Sequence, residues 1–184
     1  MKKLFILLLF TNCSKPISVE PKPKTTISLK ELNLSSIDKK YNSEIIFYID
    51  LSKSSKDYRF YVVRLKDTAI LKQGLCCNGR TDKDGKVIYS NVVGSNCSSK
   101  GKYYVGSSYI GKFGKAYKLH GLDATNSNAY KRAVVLHSHY CIPKDPTSFS
   151  ICKSFGCPTV NPEYLKELSF YIDNSKKPIL LFIK

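Results

Sequence analysis

The chain carries a cysteine and an upstream histidine in a pattern suited to covalent acyl transfer. Cys157 directly follows Gly156 in the run Ser154-Phe155-Gly156-Cys157-Pro158, and His137 directly follows the apolar run 133–136. A thiolate is the nucleophilic form of cysteine, and an imidazole beside it raises the thiolate fraction at neutral pH. Gly156 allows a tight turn that aims two backbone N–H groups at one oxyanion. We therefore predict Cys157 as a nucleophile and His137 as its general base.

Both residues also have ordinary structural explanations. A buried cysteine commonly packs as a small hydrophobic side chain. A histidine at the end of a buried strand can be a hydrogen-bonded structural residue. His139 is a competing base, and only one of the two rings is expected to point at the thiol. The pair alone leaves these alternatives open.

Further motifs surround the pair in a fixed order. They are Ser90-Asn91, Ser98-Ser99-Lys100-Gly101, Tyr109-Ile110-Gly111-Lys112-Phe113-Gly114, Lys118-Leu119-His120-Gly121-Leu122, Asn126-Ser127-Asn128-Ala129, Arg132, His137-Ser138 and the Cys157 run. With these motifs, the segment from Tyr103 to Val160 resembles the YkuD-type L,D-transpeptidase catalytic domain, in the murein L,D-transpeptidase branch.

The resemblance implies a mainly β fold, a sandwich or open barrel with a few short helices. It also implies a cysteine acyltransferase without a cofactor. Its substrate would be a peptidoglycan stem peptide, cleaved before the terminal D-alanine, with the acyl group passed to an amine. Cys157 matches the nucleophile, His137 the base, and Ser138 a residue that holds the histidine. The N–H groups of Gly156 and Cys157 match the oxyanion hole.

The same resemblance assigns a substrate groove. Its expected lining residues are Tyr109, Lys118, His120, Arg132, His139 and Ser154. Two positions depart from the usual pattern, since Phe155 replaces a histidine or arginine and Thr159 replaces an arginine or asparagine. The alternatives are a non-catalytic peptidoglycan-binding lipoprotein of the same fold and a cysteine L,D-carboxypeptidase. Papain-like enzymes are disfavoured because their cysteine precedes their histidine.

Composition favours one exported, β-rich domain. The chain has 184 residues, 13 tyrosines, no tryptophan and a net charge of +16, and domains commonly hold roughly 100 to 200 residues. The lysines are scattered and form no basic helix, so nucleic acid is not an expected partner. A cationic exported protein meets anionic wall polymers and membrane surfaces instead.

The first 40 residues read as a leader and a tether. A basic start and the apolar run 4–10 precede Cys13, which resembles a lipoprotein cleavage site, although Asn12 is not the usual small residue. We assign 1–13 to a signal peptide, 14–40 to a tether and lead-in, and 41–184 to the catalytic domain. The predicted protein is a monomer in the cell envelope, with a lipid on Cys13 as its membrane anchor.

The remaining cysteines invite a disulfide. Besides Cys13 and Cys157 the chain has Cys76, Cys77, Cys97, Cys141 and Cys152, an odd number. Cys141–Cys152 is one candidate pairing, because it would stiffen the loop between base and nucleophile, but connectivity cannot be read from sequence. No metal is expected, since the two histidines of His137-Ser138-His139 lack a convincing third ligand.

Local patterns place the main elements. Apolar runs predict strands over 45–51 and 60–65, joined as a hairpin, and further strands over 69–76, 103–106, 117–119 and 179–183. Residues 133–136 are expected to deliver His137 to the edge of the sheet. Short helices are predicted over 29–37 and, after Pro162, over 163–173.

The lipid assignment can be tested directly. Cells that express the full chain should incorporate radiolabelled palmitate into it, and Cys13→Ser should abolish the label, because this thiol is the proposed attachment point. Label that persists in Cys13→Ser contradicts the assignment.

Overall fold

The computed structural model describes residues 37–184. This part of the chain forms nine strands and one helix: β1 Ile45–Ile49, β2 Phe60–Arg64, β3 Ile70–Gly74, β4 Cys76–Cys77, β5 Gly101–Gly111, β6 Gly114–Gly121, β7 Val135–Ser138, β8 Thr159–Val160, α1 Pro162–Asp173 and β9 Leu180–Ile183. The predicted mainly β fold is confirmed.

The nine strands form one sheet that curls toward closure. Their order is β3-β2-β1-β9-β5-β6-β7-β8-β4. The two edge strands, β3 and β4, are consecutive in the chain and are separated by Leu75 alone. Because one residue spans less than about 4 Å, the two edges of the sheet must meet at this point. The sheet is therefore curved like an open barrel, as expected.

Two antiparallel hairpins form the longest ladders of the sheet. The predicted β1–β2 hairpin is confirmed, with Ile45 opposite Arg64 and Ile49 opposite Phe60. β5 and β6 form a longer hairpin than the two short strands predicted, and pairing extends to Gly111 opposite Gly114. The outer half of β5 is exposed, so it lacks the apolar alternation that would reveal a strand in the sequence. Its turn carries Lys112 and Phe113 toward solvent.

His137 lies in the interior of the sheet, so the expected edge position was wrong. β7 pairs antiparallel with β6 and parallel with β8, and β4 lies beyond β8. β8 and β4 have two residues each. Strands this short give no periodic signal in the sequence, and only the folded chain reveals that they cover β7.

Helix α1 packs on the main hydrophobic core. Asn161 caps its first turn by accepting a hydrogen bond from the Glu163 backbone N–H (2.8 Å), as N-cap asparagines commonly do. The buried Tyr164 ring packs edge-on against Phe60, and its hydroxyl donates to the Phe60 carbonyl (3.0 Å). These contacts attach the helix to strand β2.

Predictions for the first 36 residues concern a part of the chain that the structure does not describe. They include the leader, Cys13, the tether and nearly all of the predicted 29–37 helix. Within residues 37–184, no helix is long and apolar enough to cross a membrane.

The contact between β3 and α1 predicts a stability effect. A Cβ placed on Gly74 would overlap the Tyr164 ring, and overpacking of this kind costs about 1–3 kcal/mol. Gly74→Ala should lower the free energy of unfolding by that amount in urea denaturation. The neighbouring Gln73 is exposed, so Gln73→Ala should stay within about 0.5 kcal/mol of the parent. Equal stability of the two variants would contradict the packing.

Candidate active site

A row of five residues crosses five neighbouring strands and forms the floor of a cavity. Cys77 is opposite Thr159, Thr159 opposite His137, His137 opposite Ala116, and Ala116 opposite Tyr109. Residues directly opposite one another on neighbouring strands point to the same face of a sheet. All five line one cavity of about 480 Å³, and Cys157 lines it as well.

The walls of this cavity come from two loops. From the β5–β6 turn, Phe113 stacks on the His137 ring (centroids 5.3 Å apart) and meets His139 edge-on (5.2 Å). On the other side lie Phe155 and the disulfide Cys141–Cys152. The disulfide confirms the candidate pairing and ties together the loop between His137 and Cys157.

The segment that carries Cys157 is held as a tight turn. The Ser154 hydroxyl donates to the Cys157 carbonyl (2.6 Å) and accepts from the Gly156 N–H (3.1 Å). The Ser154 N–H donates to the Asn78 carbonyl next to strand β4 (2.8 Å). Gly156 has a φ of 109°, and a Cβ there would overlap the Cys97 carbonyl. Glycine is therefore required at position 156 for both conformation and space.

Arg132 supports this turn from behind. Its guanidinium donates to the Ser90 carbonyl (2.8 Å), the Ser99 hydroxyl (3.1 Å) and the Cys97 carbonyl. It also lies within contact distance of a Cβ built on Gly156. Arg132 was expected to bind substrate, but the structure commits this cation to the loop that packs on the turn.

The Cys157 thiol is half-buried and rests against the start of β7. Its Sγ lies 3.5 Å from the Val135 N–H and 3.8 Å from the Ala133 carbonyl oxygen. Burial raises the pKa of Cys157, while the Val135 N–H and the charge of Arg132 act in the opposite direction. In residues 37–184 no hydrogen bond joins this thiol to a histidine ring. Burial thus favours the protonated form of the thiol.

Two hydrogen bonds fix the tautomer of His137. Its Nδ1 lies 3.1 Å from the Ser138 carbonyl oxygen, and its Nε2 lies 2.9 Å from the Thr159 hydroxyl. A carbonyl only accepts, so Nδ1 carries the proton and Nε2 keeps its lone pair. Burial lowers the pKa of His137, and the ring is neutral at pH 7. Ser138 thus holds the histidine through its backbone oxygen.

His139 lies on the same side of the chain as His137. That only one of the two rings points at the thiol stays a prediction, because among the described residues no hydrogen bond joins either ring to Cys157. Residues two apart on an extended chain share a face, and both rings line the cavity. The Cys141 N–H donates to Nδ1 of His139 (3.1 Å). When the ring is neutral its proton is therefore on Nε2, and the lone pair on Nδ1 is already engaged.

Only one of the two expected oxyanion donors is available. The Gly156 N–H is bonded to Ser154. The Cys157 N–H has no acceptor among residues 37–184. This N–H is the free donor of the turn.

The other predicted groove residues separate into two groups. Tyr109, His139 and Ser154 line the cavity, whereas Lys118 and His120 lie further along β6. The His120 ring stacks between Tyr104 (4.4 Å) and Tyr130 (5.0 Å), and Lys118 Nζ lies 5.6 Å from the Tyr130 ring centroid. Burial and the Lys118 charge lower the pKa of His120. These two residues belong to an aromatic stack outside the cavity.

Several residues that line the site were not predicted as site residues. Cys77 and Thr159 lie in strands of two residues, and Thr159 was noted only as a departure from the family pattern. The cations Lys112 and Lys153 also line the cavity, and among the described residues no aspartate or glutamate does. A signal did exist for Lys112 and Phe113, which lie within the 109–114 motif.

A family model and one solved structure agree with this architecture. A family model described as the L,D-transpeptidase catalytic domain matches residues 22–183. A variant of the helical cell shape determining protein Pgp2 from Campylobacter jejuni is similar in fold, with a TM-score of 0.52, 11% identity, and coverage of 79% of this chain and 51% of that one. An L,D-transpeptidase from Mycobacterium smegmatis aligns with a TM-score of 0.47, 11% identity, and coverage of 77% and 58%.

Among curated proteins no sequence matches the chain. The chain spans little more than half the length of the two structures that it resembles. The family model nevertheless covers most of the sequence, and the sheet, the turn at Gly156 and the cavity are consistent with it. The chain belongs to the L,D-transpeptidase catalytic domain family.

Proposed function

We propose that this protein is a cell-wall L,D-transpeptidase that uses Cys157 as its nucleophile and His137 as its base. One observation carries the proposal. The Cys157 thiol and a histidine whose Nε2 holds a lone pair line the same cavity. A nucleophile and a base oriented by a third group are the arrangement that acyl transfer requires. Here the third group is the Ser138 carbonyl.

In the acylation step, Sγ of Cys157 attacks the carbonyl that precedes the terminal D-alanine of a stem tetrapeptide. The thiol proton moves to Nε2 of His137, and the oxyanion receives a hydrogen bond from the Cys157 N–H. The carbon–nitrogen bond then breaks, and His137 returns the proton to the leaving amine. The product is a thioester on Cys157 and free D-alanine.

In the second step, an amine attacks the thioester and Cys157 leaves as a thiol. His137 accepts the proton of the amine and transfers it to the sulfur. With a second stem as the amine donor, the result is a 3–3 crosslink. The apolar cavity walls, Phe113 and Phe155, limit the access of water, which would otherwise hydrolyse the thioester.

The charge around the cavity suits an anionic stem peptide as the acyl donor. Lys112 and Lys153 both line it, and no carboxylate among the described residues does. A stem ends in the carboxylate of D-alanine, and a cationic site without competing anions favours such a ligand. Lys112 and Lys153 thereby replace Lys118 and Arg132 as the proposed substrate cations.

The location follows from the leader and the tether. We propose export, lipid attachment at Cys13 and a tether to a domain that works on the wall as a monomer. A stretch rich in proline and lysine, such as 14–26, is typical of a tether.

Single substitutions test the two catalytic roles. Cys157→Ala should abolish D-alanine release from disaccharide tetrapeptide, and His137→Ala should reduce it by about 10²-fold or more. His139→Ala should have a milder effect, because the proposed base is His137, whose ring is oriented by the Ser138 carbonyl. Released amino acid and covalent carbapenem adducts, measured by mass spectrometry, report these outcomes. Trimming of the tetrapeptide by Cys157→Ala would remove this thiol from the mechanism.

An all-L tetrapeptide of the same composition serves as the substrate control. The transpeptidase should ignore it. Release of its terminal residue at a comparable rate would instead indicate a general cysteine peptidase.

The buried base predicts a shifted pH profile. Burial lowers the pKa of His137 below its ordinary value of 6.5, so the neutral, basic form persists in mildly acidic solution. The acidic limb of kcat/KM should therefore lie below pH 6.5, and activity should fall only as pH drops through this lower pKa. Steady-state rates between about pH 5 and 8 check this. An acidic limb above pH 7 would contradict it.

A further inference from the structure

The resting site contains a hydrogen bond that competes with the chemistry. Nε2 of His137 is the nitrogen that must take the thiol proton, yet its neighbour is the Thr159 hydroxyl at 2.9 Å. Because Nδ1 already donates to the Ser138 carbonyl, the hydroxyl is the donor and Nε2 the acceptor. The lone pair of the base is occupied before any substrate arrives.

The Thr159 hydroxyl has a second acceptor within reach. Its Oγ1 lies 3.4 Å from the carbonyl oxygen of Cys157. A hydroxyl has one proton, and rotation about its C–O bond allows it to point to either acceptor. The side chain itself is buried, and β8 pairs Thr159 with Cys77 on one side and His137 on the other. Only the proton needs to move.

We propose that Thr159 is a positioning residue that controls the base: its hydroxyl caps Nε2 of His137 at rest, and must turn to the Cys157 carbonyl before His137 can accept the thiol proton. This inference rests on the proposed role of His137. With the hydroxyl turned away, Nε2 is free to receive the proton. The Cys157 carbonyl gains a second donor beside the Ser154 hydroxyl, so the turn is better held while the thiol reacts.

Several other groups face the same space and set its background charge. The titratable groups that line the cavity are Cys77, Tyr109, Lys112, His137, His139, Lys153 and Cys157. Among the described residues, the Thr159 hydroxyl is the group that is hydrogen-bonded to Nε2. Removal of the Thr159 proton donor should therefore act on His137 first. A hydrogen bond to the neutral form of a base disfavours its protonation, so loss of the bond should make His137 a stronger base.

The test measures thiol reactivity without peptidoglycan. Thr159→Val removes the hydroxyl with little change in shape, and Thr159→Ser keeps it. Alkylation of Cys157 by iodoacetamide, followed by peptide mass spectrometry from about pH 5 to 9, should be about threefold to tenfold faster at pH 7 in Thr159→Val, the equivalent of one neutral hydrogen bond. Its acidic limb should move to higher pH. Thr159→Ser should match the parent.

The dependence on His137 provides the control. In a His137→Ala background, Thr159→Val should not change the alkylation rate. A Thr159→Val profile identical to the parent, or an acceleration that persists without His137, overturns the proposal. Failure of the proposed function would show separately, as absent D-alanine release alongside the alkylation pattern expected here.

A spectroscopic readout needs no substitution. In the unmodified protein with ¹⁵N-labelled histidine, NMR at neutral pH should show His137 protonated on Nδ1, with Nε2 as a hydrogen-bonded acceptor. A proton on Nε2 would contradict the proposed hydrogen bond from the Thr159 hydroxyl, even if Thr159→Val failed to fold.

Discussion

The geometry of the site depends on the backbone of Gly156 lying directly against the Cys97 carbonyl. No side chain fits there, and the positive φ of 109° excludes most other residues as well. Arg132 binds the same carbonyl and the neighbouring loop, so the position of Cys157 depends on a loop that is distant from it in sequence. The stability of this contact decides where the thiol lies.

The sheet supplies the second constraint. Because the row from Cys77 to Tyr109 crosses five strands by direct pairing, the separation of its side chains follows the spacing between strands, about 4.8 Å. The two-residue strands β8 and β4 complete the row, and without them His137 would lie at a sheet edge. A site on paired strands positions groups more firmly than a site on loops.

Burial favours the neutral form of both groups in the proposed catalytic pair. It raises the pKa of the Cys157 thiol and lowers the pKa of the His137 imidazole. In the proposed mechanism, an ion pair between them forms only once substrate excludes water and the Thr159 hydroxyl turns away from His137. A protonated thiol is also less readily oxidised, because the thiolate is the reactive form. Two lysines and, among the described residues, no carboxylate line the cavity.

Features that depend on residues close together in the chain could be predicted from the sequence alone. They include the β1–β2 hairpin, the helix after Pro162, the Gly156-Cys157 turn, the histidine at the end of an apolar run and the mainly β class. Each depends on neighbours within a few residues, where periodicity and turn chemistry operate. The tertiary structure alone decided the hydrogen-bonding state of each group. It directed the Arg132 guanidinium to a loop and placed both His137 and His139 at the cavity. It also placed Lys118 and His120 outside the cavity and brought the Thr159 hydroxyl within hydrogen-bond distance of the His137 ring. These outcomes depend on pairing between segments that are distant in sequence. Hydrogen bonds across such pairings cannot be predicted from local sequence patterns.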